Sequence, residues 1–394
     1  MATPHPPSDS PLVSVIVPAR NEEASLPTCL DSLVSQCGVI FEVIVVDDAS
    51  ADRTRQIAES FPGVHVVDAP PLPPGWTGKN NALAAGAKTA RGQWLLFTDA
   101  DTVHHPGSLA RSLAEAQRHT AALLSYSPEQ EVHGFWENAV MPVIFAELAC
   151  TYRPSQVGNP ASRAAAANGQ YLLITRQAYD AIGGHSAVAT SLLEDVALAK
   201  AVKQSGRRIF FLFGGDALRT RMYRNFSQLR EGWTKNLVLL FPSPARLAAL
   251  RLTEFLLILG SSAVAVVAIS RGSYRPGALA AILAVIVITT FVKRIRKAHF
   301  SWISNALALF GLPIFSYLLL RSRRAYKKGT VTWKGRTYSS PHETDSPKTS
   351  GTAADLHKLG TPDRSQQTSE TTVEEPAFRP AFEAKDSGAL APEV

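Results

Sequence analysis

Strand and helix patterns alternate four times within the first hundred residues. Each predicted strand is a short run rich in Val, Ile, Leu or Phe, and a polar turn and a helical pattern follow it. The predicted strands cover residues 13–18, 42–48, 64–67 and 94–98. Such alternation is typical of βαβ units, in which helices join parallel strands. The sequence therefore predicts an α/β fold with a mostly parallel sheet flanked by helices.

Charged side chains follow these strands at the points where the strands end. Ligands bind at the carboxyl ends of the strands in open α/β sheets. Over residues 95–102 an apolar run ends in Asp99 and Asp101, which would project to the same side of an extended strand. Two carboxylates so close repel each other unless a cation lies between them, and a divalent cation could in turn hold a diphosphate. Taken alone, the pair could equally be part of a solvated loop.

Other charged residues are expected to meet this pair. Right-handed crossovers would bring residues 18–22, Asp47, Asp48 and Lys79 to the same edge of the sheet. Each alone could be structural, as a turn former, a helix-end charge or a solvated lysine. Together they favour a site for a nucleotide diphosphate, because carboxylates accept hydrogen bonds from base or ribose and lysine meets phosphate. The sequence has neither the G-x-G-x-x-G nor the G-x-x-x-x-G-K-[ST] signature, which disfavours Rossmann dinucleotide enzymes and P-loop NTPases.

Four motifs, in this order and spacing, resemble the GT-A fold of family 2 glycosyltransferases. They are P-A-R-N-E-E (18–23), V-V-D-D-A-S (45–50), T-G-K-N (77–80) and F-T-D-A-D-T (97–102). The resemblance covers about residues 12–235. Over 73–87 and 94–106 the chain looks most like membrane-bound members that glycosylate carotenoids, hopanoids or related lipids. This implies a hexosyltransferase-type enzyme that uses a nucleotide-diphosphate sugar, with a UDP-sugar favoured, and Mg²⁺ or Mn²⁺.

The resemblance implies a role for each of these residues. The nucleotide would be held by four of them: Pro18, Arg20, Glu22 and Asp48. Lys79 would approach the nucleotide or the diphosphate. Asp99 would face the ribose or the sugar, and Asp101, together with Asp99, would bind the metal.

A second acidic pair, Glu194 and Asp195, precedes an apolar helical face far along the chain. The pair could simply complement the positive end of a helix. An inverting transfer, however, needs a base that removes the acceptor proton on the face opposite the leaving diphosphate. The E-D motif of the family falls here. It implies that Asp195 is this base and that Glu194 positions the acceptor or its neighbours.

A motif further along bears on how many sugars are transferred. Residues 228–233 resemble the Q-x-x-R-W motif of processive synthases, but the spacing differs by one residue and Gly232 replaces the arginine. This departure favours transfer of a single sugar over polysaccharide synthesis. Nearby, Arg219, Arg221 and Arg224 are expected to form a basic cluster beside the diphosphate.

Three apolar segments follow, at about 252–270, 277–293 and 302–320, each near the lower length limit for crossing a bilayer. Basic clusters at 293–297 and 321–324 flank the third segment on both sides. The positive-inside rule would place both clusters in the cytoplasm, which one spanning helix cannot satisfy. The third segment is therefore either re-entrant around its Gly311 and Pro313 or a span that breaks the rule. The polar W-K-G-R segment at 333–336 favours the re-entrant or an interfacial arrangement.

Charge and composition place these segments in a membrane protein. The net charge is +7, but residues 341–394 contribute −5, which leaves +12 for the remainder. This basic excess interrupts apolar segments and so indicates a membrane surface, with no nucleic-acid partner. The apolar stretch 135–150 could be a core helix, but an interfacial helix beside the membrane is favoured.

The predicted organisation has four parts. They are a disordered lead (1–11), a GT-A glycosyltransferase domain (12–235), a membrane-associated region (236–338) and a disordered tail (339–394). The expected protein is anchored in the cell membrane by several helices or a hairpin, with a cytoplasmic catalytic domain. It would transfer one sugar to a hydroxyl of a membrane lipid.

Three alternatives remain. In the nearest one, the acceptor is a polyprenyl phosphate, which is already an anion and depends less on a base. In another, the chain is a non-catalytic membrane protein that only binds nucleotide sugars. The third, a nucleotidyltransferase on a similar sheet, is disfavoured by the apolar C-terminal segments and by Glu194 and Asp195.

Overall fold

The computed structural model describes residues 11–333 and 336–338. The strands are β1 (Val13–Ala19), β2 (Phe41–Asp47), β3 (Val64–Asp68), β4 (Trp94–Phe97), β5 (Thr102–His104), β6 (Leu123–Ser127), β7 (Glu129–Gln130), β8 (Leu172–Thr175), β9 (Ile209–Phe213), β10 (Leu218–Thr220), β11 (Val331–Trp333) and β12 (Arg336–Tyr338). The α-helices are α1 (Leu26–Val34), α2 (Thr54–Glu59), α3 (Gly78–Thr89), α4 (Ser108–Arg118), α5 (Gly134–Thr151), α6 (Pro154–Gly158), α7 (Arg176–Ala181), α8 (Glu194–Gln204), α9 (Phe226–Leu240), α10 (Pro244–Ser270), α11 (Tyr274–Ile295) and α12 (Trp302–Lys327). The predicted lead, apart from Pro11, and the predicted tail lie outside the described residues.

The main sheet confirms the predicted fold class. Its seven strands lie in the order β3-β2-β1-β4-β8-β6-β9. All neighbouring pairs are parallel except those that β8 makes with β4 and β6, so β8 alone runs against the others. The carboxyl ends of β1, β2 and β4 therefore meet at one edge, and the start of β8 reaches the same edge.

Both faces of this sheet are covered by helices. Along β1, Val15 and Val17 point into the core that α1 and α4 share, whereas Ile16 points into the core on the α3 side. This two-residue alternation is what buries β1 on both faces. At Gly86 of α3, a Cβ atom would lie 2.5 Å from Ile16 Cγ2, so glycine lets α3 lie directly on the sheet.

A separate apolar core joins α5, α9, α10, α11 and α12. The prediction that residues 135–150 form an interfacial helix is wrong for most of their length, because α5 packs inside this core. A Cβ atom added to Gly311 of α12 would lie 1.8 Å from the carbonyl oxygen of Ala139 on α5. Phe135 and Trp136, at the start of α5, remain about half exposed. Apolar residues all around α5 explain why it is buried rather than surface-bound.

The helices α10, α11 and α12 are each long and apolar enough to cross a membrane. The helix α12 continues through Gly311 and Pro313 without interruption, so the break that a re-entrant segment requires is not present there. In their most apolar windows, α10 and α11 have only 17% of their residues buried, whereas α12 has 44%. The first two helices therefore expose most of their apolar surface, and α12 is partly enclosed by protein.

Four charged side chains form a buried ionic cluster that joins α5, α10 and α11. Glu147 Oε1 forms ion pairs with Arg251 and Arg294, at 2.9 Å from Arg251 Nε and 3.0 Å from Arg294 Nε. The Arg294 guanidinium donates two hydrogen bonds to the Glu254 carboxylate, at 2.9 and 2.7 Å. Arg251 Nη1 also lies 2.8 Å from Glu254 Oε2. The four side chains are 6–13% exposed. Two positive and two negative charges thus balance each other in the interior.

Replacing Glu147 with Gln should destabilise the fold, because the cluster would keep two arginines and only one carboxylate. Breaking a buried charge pair costs about 3–5 kcal/mol. We expect a clear fall in melting temperature in detergent. As a matched control, Glu59→Gln removes the exposed partner of Arg55. That change should cost no more than about 1 kcal/mol. Similar losses in both variants would show that the cluster does not hold these helices together.

Candidate active site

A cleft of about 250 Å³ lies at the carboxyl ends of β1, β2 and β4. Its lining includes all nine residues for which a role was predicted: Pro18, Arg20, Glu22, Asp48, Lys79, Asp99, Asp101, Glu194 and Asp195. These residues come from a strand end, loops and helix starts spread over nearly 180 positions of the chain. The structure thus brings the two acidic pairs to one cavity.

The loops that follow β1 and β2 are joined to each other. Asn21 donates its backbone N–H to Ser50 Oγ at 3.1 Å, and its side-chain oxygen accepts from Ala51 N at 2.8 Å. Asn21 and Ala49 both have positive φ angles, of 53° and 54°. For alanine this conformation is uncommon and typical of functional loops. The Arg20 guanidinium donates to the carbonyls of Asp48 and Ala49, which fixes it between the two loops.

Lys79 lies at the start of α3 and bridges the two acidic pairs. Its Nζ atom is 2.7 Å from Asp99 Oδ1 and 2.8 Å from Glu194 Oε1. Thr77 caps the helix by accepting from Asn80 N at 3.2 Å, which places the lysine at the rim of the cleft. Burial opposes the charge on Lys79, but Asp99 and Glu194 outweigh it and hold the pKa of the ammonium well above its ordinary value. Lys79 is therefore a cation in the cleft.

Asp195 lies at the start of α8, where two backbone N–H groups hold its carboxylate. Gly169 N donates to Oδ2 and Val196 N to Oδ1, each at 2.8 Å. Burial and the neighbouring charge of Glu194 raise the pKa of Asp195 to about 7, although Lys79 and both N–H groups act in the opposite direction. A carboxyl group with a pKa near neutrality is suited to exchange protons in catalysis.

Glu194 is buried and differs from the half-buried Asp195 in the direction of its pKa shift. Burial tends to raise the pKa of Glu194, but the contact with Lys79 outweighs it and lowers that pKa below its ordinary value. Glu194 is therefore the ionised member of the pair. Its charge balances part of the charge of Lys79 and raises the pKa of Asp195, so the two acids have separate roles.

Asp99 and Asp101 lie in the turn that follows β4, not on the strand itself. The strand ends at Phe97, and β5 begins at Thr102, which donates its N–H to the carbonyl of Asp99 at 3.2 Å. Thr220 donates its hydroxyl to the carbonyl of Asp101 at 3.1 Å. The turn, rather than strand alternation, thus brings both carboxylates into the cleft.

The carboxylates at this turn fit a divalent metal ion whose remaining ligands come from the substrate. Among the described residues, no group of three or more His, Cys, Asp or Glu side chains could hold a metal ion. Two carboxylates, Asp99 and Asp101, nevertheless line the cleft together. Mg²⁺ is commonly bound by one or two carboxylates plus substrate phosphates and water. The site therefore suits a metal that arrives with a diphosphate.

Sequence reasoning missed two contributors to the cleft, Lys235 and Gly169. Lys235 lies on α9; burial lowers its pKa, while Glu194, Asp99 and Asp195 act to raise it. Gly169 supplies the N–H that holds Asp195. Neither residue lies in a recognisable motif. The only available signal for Lys235 was its position two residues after Trp233.

The predicted basic cluster is not part of the cleft. Arg219 pairs with Glu131 at 3.0 Å and Arg221 with Glu137 at 3.5 Å, while Arg224 donates to the carbonyl of Ala24. Acidic partners, which the sequence pattern did not reveal, hold the first two away from the diphosphate region. Asp47 also does not line the cleft; it accepts from the backbone N–H of Ser50 instead.

Gly232, which replaces the arginine of the Q-x-x-R-W motif, lines the cleft from α9. A Cβ atom at this position would lie 2.5 Å from the hydroxyl oxygen of Tyr223. The ring of Tyr223 thus occupies the space into which a longer side chain would project. This contact gives a physical reason for the departure from the motif.

Replacing Gly169 with Ala should disturb the centre of the cleft. The added Cβ would lie 2.9 Å from Lys79 Nζ and 3.3 Å from Glu194 Oε1, so the lysine would have to move. We expect at least a tenfold loss of sugar transfer with little change in melting temperature. A matched control is Gly260→Ala on α10, where an added Cβ would meet no atom within 4 Å and the backbone is helical. Full activity in Gly169→Ala would mean that the position of Lys79 is not critical.

Comparisons with known proteins show what this chain is similar to. Residues 14–162 match the family model of glycosyl transferase family 2. The chain is 28% identical over 346 residues to 4,4'-diaponeurosporenoate glycosyltransferase of Staphylococcus aureus (strain MRSA252), a match that covers 84% of this chain and 89% of the relative. The protein of the same name from strain USA300 is 27% identical over 345 residues, with the same coverage.

Two solved structures illustrate the similar folds that were found. A mannosyltransferase from Pyrobaculum calidifontis, in complex with GDP-Man and Mn²⁺, has a TM-score of 0.48 and 19% identity, over 81% of this chain and 88% of that chain. Glucosyl-3-phosphoglycerate synthase from Mycobacterium tuberculosis, with Mg²⁺ and UDP, has a TM-score of 0.38 and 22% identity, over 56% and 75% of the two chains. The family match and the curated relatives confirm what the motifs indicated: this chain carries a family 2 glycosyltransferase domain and is a glycosyltransferase.

Proposed function

We propose that this enzyme transfers one sugar, with inversion, from a nucleotide-diphosphate sugar to a hydroxyl group of a membrane lipid, and that a UDP-sugar is the favoured donor. One observation carries the proposal. A single cleft holds an acidic turn suited to a metal diphosphate and, separately, a half-buried carboxyl group suited to proton transfer. The two functions that an inverting transfer needs are thus present in one cavity.

The donor would occupy the side of the cleft formed by the loops after β1, β2 and β4. Pro18, Arg20, Glu22 and Asp48 would hold the nucleotide there. Lys79 would meet the diphosphate, because its ammonium is charged and lies at 2.7 Å from Asp99. Asp99 would then face the ribose or the sugar.

Asp101, together with Asp99, would hold a Mg²⁺ or Mn²⁺ ion. When bound, such an ion neutralises the charge that develops on the leaving diphosphate. Asp99 and Asp101 line the cleft together and would repel a diphosphate unless a cation lies between them. This repulsion supports a role for a metal beside the diphosphate.

Asp195 would act as the base. The acceptor oxygen forms a bond to the anomeric carbon of the sugar, the bond from that carbon to the diphosphate oxygen breaks, and the acceptor proton passes to Asp195. Glu194 stays ionised and holds Lys79, so it positions the cleft rather than taking the proton.

Two observations support a lipid acceptor: the apolar helices α10 and α11, and the names of the curated relatives. The curated relatives are named for a diaponeurosporenoate, which is a carotenoid acid. The two helices α10 and α11 leave most of their apolar surface exposed and are long enough to reach into a bilayer. A lipid acceptor would therefore be available where these helices join the catalytic domain.

We propose that α10 and α11 form a hairpin across the cell membrane and that the catalytic domain faces the cytoplasm. The ionic cluster fixes the start of α10 and the end of α11 next to α5. From Glu254 to Ser270 and from Tyr274 to Arg294, the helices extend about 24 and 30 Å beyond it, close to the thickness of a hydrocarbon core. The far loop, 271–273, would then lie outside.

In this arrangement α12 lies along the catalytic domain instead of crossing the bilayer. Near its start, Ser304 donates to the side-chain oxygen of Asn138 on α5 at 2.7 Å. Near its end, Ser322 donates to the carbonyl of Thr234 on α9 at 2.7 Å. Both basic flanks of α12 thus lie beside catalytic helices. The conflict with the positive-inside rule disappears if both flanks are cytoplasmic.

Cysteine labelling in intact cells tests this arrangement. A cysteine at Ser273 should react with a membrane-impermeant maleimide added outside, whereas cysteines at Ser301 and Lys328 should react only after the cells are lysed. The three native cysteines are first replaced by serine. Outside labelling at Ser301 or Lys328, but not at both, would mean that α12 crosses the membrane.

An acceptor that is already ionised is the second candidate. The acceptor named for the curated relatives is a carboxylate, and a polyprenyl phosphate would also be an anion. Neither needs a base to remove a proton. The family match favours an enzyme over a protein that only binds nucleotide sugars.

The proposal is tested by release of nucleoside diphosphate from a panel of nucleotide sugars. The detergent-solubilised protein is incubated with Mg²⁺ or Mn²⁺, with and without a total lipid extract. We expect one donor to be consumed and the lipid extract to accelerate its consumption. If every donor stays intact although nucleotides bind, the proposed function is wrong.

A further inference from the structure

A second, larger cavity adjoins the active-site cleft. Its volume is about 1090 Å³, at the upper end of the roughly 300–1,000 Å³ that is typical of small-molecule sites. Its walls come from α5, α9, β9 and the link between α11 and α12. Such a volume exceeds what the transferred sugar would require.

The two cavities share part of their lining. The shared residues are Asn168, Gln170, Leu193, Asp195, Met222 and Asn236. Asp195 therefore borders both the donor cleft and the larger cavity. A molecule in the larger cavity would present its end to the carboxyl group that we assign as the base.

Apolar and aromatic side chains make up most of the wall of the larger cavity. Phe145 lies 5.9 Å from Phe300 and 6.2 Å from Trp233, measured between ring centroids and at steep interplanar angles. Phe213 stacks on His299 with ring centroids 4.4 Å apart. Rigid rings that line a cavity suit an apolar chain, because they bury its surface at little cost in side-chain entropy.

One wall of this cavity lies where the α10–α11 hairpin meets the catalytic domain. Lys293, Arg296 and Lys297, at the end of α11 and in the link to α12, line it. Lysine and arginine at the base of a membrane hairpin lie at the level of the lipid headgroups. A chain that leaves the bilayer at this point would enter the cavity directly.

From this continuity we infer that the larger cavity is the acceptor site and holds the apolar chain of a lipid, with the reacting end of that chain at Asp195. This inference rests on the proposed function, because it assigns a binding site to the acceptor that the proposal requires. It also explains how a water-soluble donor and a membrane lipid reach the same base from opposite sides.

The test uses two substitutions on different walls, each of which should reduce the volume of the cavity. Ala149, on α5, and Ala298, in the link after α11, both line it and are half-buried, so tryptophan at either position would fill cavity space. The matched control is Ala263→Trp, on the exposed surface of α10. Each purified protein is incubated with a sugar-labelled donor and a total lipid extract, and label in the lipid fraction is counted. Nucleoside diphosphate affinity is measured in parallel.

We expect Ala149→Trp and Ala298→Trp to lower lipid labelling at least tenfold, with nucleotide affinity within twofold of the wild type and the control unchanged. Retained nucleotide affinity also shows that the variants are folded. Normal labelling by either folded variant would overturn the inference and leave the proposed function standing. A wild-type protein that labels no lipid would overturn the proposed function, and the inference with it.

Discussion

Replacing Asp195 with Asn should slow sugar transfer to a lipid hydroxyl by about 10²–10⁴-fold, the usual contribution of a positioned general base. The amide of Asn cannot accept the acceptor proton, although it keeps the shape of the side chain. The donor should still bind, because the nucleotide side of the cleft is formed by the loops after β1, β2 and β4. Transfer kinetics and isothermal titration with nucleoside diphosphate measure the two effects separately.

Asp31→Asn is the matched control, because it makes the same chemical change on an exposed face of α1. It should leave transfer unchanged. Equal turnover by Asp195→Asn and the wild type would exclude Asp195 as the base. Tolerance of this substitution, combined with retained lipid labelling, would instead identify an acceptor that is already ionised, such as a carboxylate or a phosphate.

The pH dependence of transfer should report the same residue. Asp195 accepts a proton only when ionised, so with a pKa of about 7 the wild-type kcat/KM should fall as the pH drops below 7. The charged and titratable groups that face it are Lys79, Glu194, Lys235 and Tyr152. Lys79 and Tyr152 have raised pKa values and stay protonated through this range, while Glu194 has a lowered pKa and stays ionised, so we assign the acid limb to Asp195. In Asp195→Asn the residual rate should lose this acid limb.

The second large effect is expected at Asp101. Replacing Asp101 with Asn should lower transfer about 10²-fold or more, because a metal beside the diphosphate contributes several kcal/mol to the transition state and each 1.36 kcal/mol is a factor of ten. The variant should also bind nucleoside diphosphate with the same affinity in the presence and absence of Mn²⁺. In the wild type, Mn²⁺ should strengthen this binding.

Titration calorimetry with and without Mn²⁺ gives the result directly. Asp52→Asn is a useful control, because Asp52 is an acid near the same edge of the sheet that hydrogen-bonds to Thr54 and does not line the cleft. It should keep the metal effect. The assignment of a metal to Asp101 would be wrong if neither Mg²⁺ nor Mn²⁺ changed the nucleotide affinity or the turnover of the wild-type protein.

The positions of Asp48, Lys79 and Asp101 could be predicted from the sequence because the topology dictates them. Each follows a strand of one parallel sheet or begins the next helix, and parallel strands align their carboxyl ends. The meeting of Asp195 with this group could not be derived from strand order, because β8 runs antiparallel and α8 begins far along the chain. Only the family motif indicated it, and the roles of these residues remain predictions.

Contacts between distant charges lay beyond sequence reasoning. Glu147 and Glu254 look like isolated acids beside apolar segments, yet each meets two arginines in the buried ionic cluster. Arg219 looked like a ligand for phosphate and instead pairs with Glu131. Periodicity describes which face of a helix is apolar, but a charged partner that lies 40 to 147 residues away, as for Arg294, depends on tertiary packing. The predicted domain boundaries, including the one at 235, likewise remain predictions.

One measurement tests the central claim most directly. The wild type and Asp195→Asn are incubated with a donor labelled in its sugar, Mn²⁺ and a total lipid extract, and the lipid fraction is analysed before and after treatment with mild alkali. We expect label to enter the lipid fraction with the wild type only and to resist alkali, as a sugar on a lipid hydroxyl does. Label that alkali removes would indicate a carboxylate acceptor. Donor consumption with no label in lipid would contradict the claim that this enzyme glycosylates a membrane lipid.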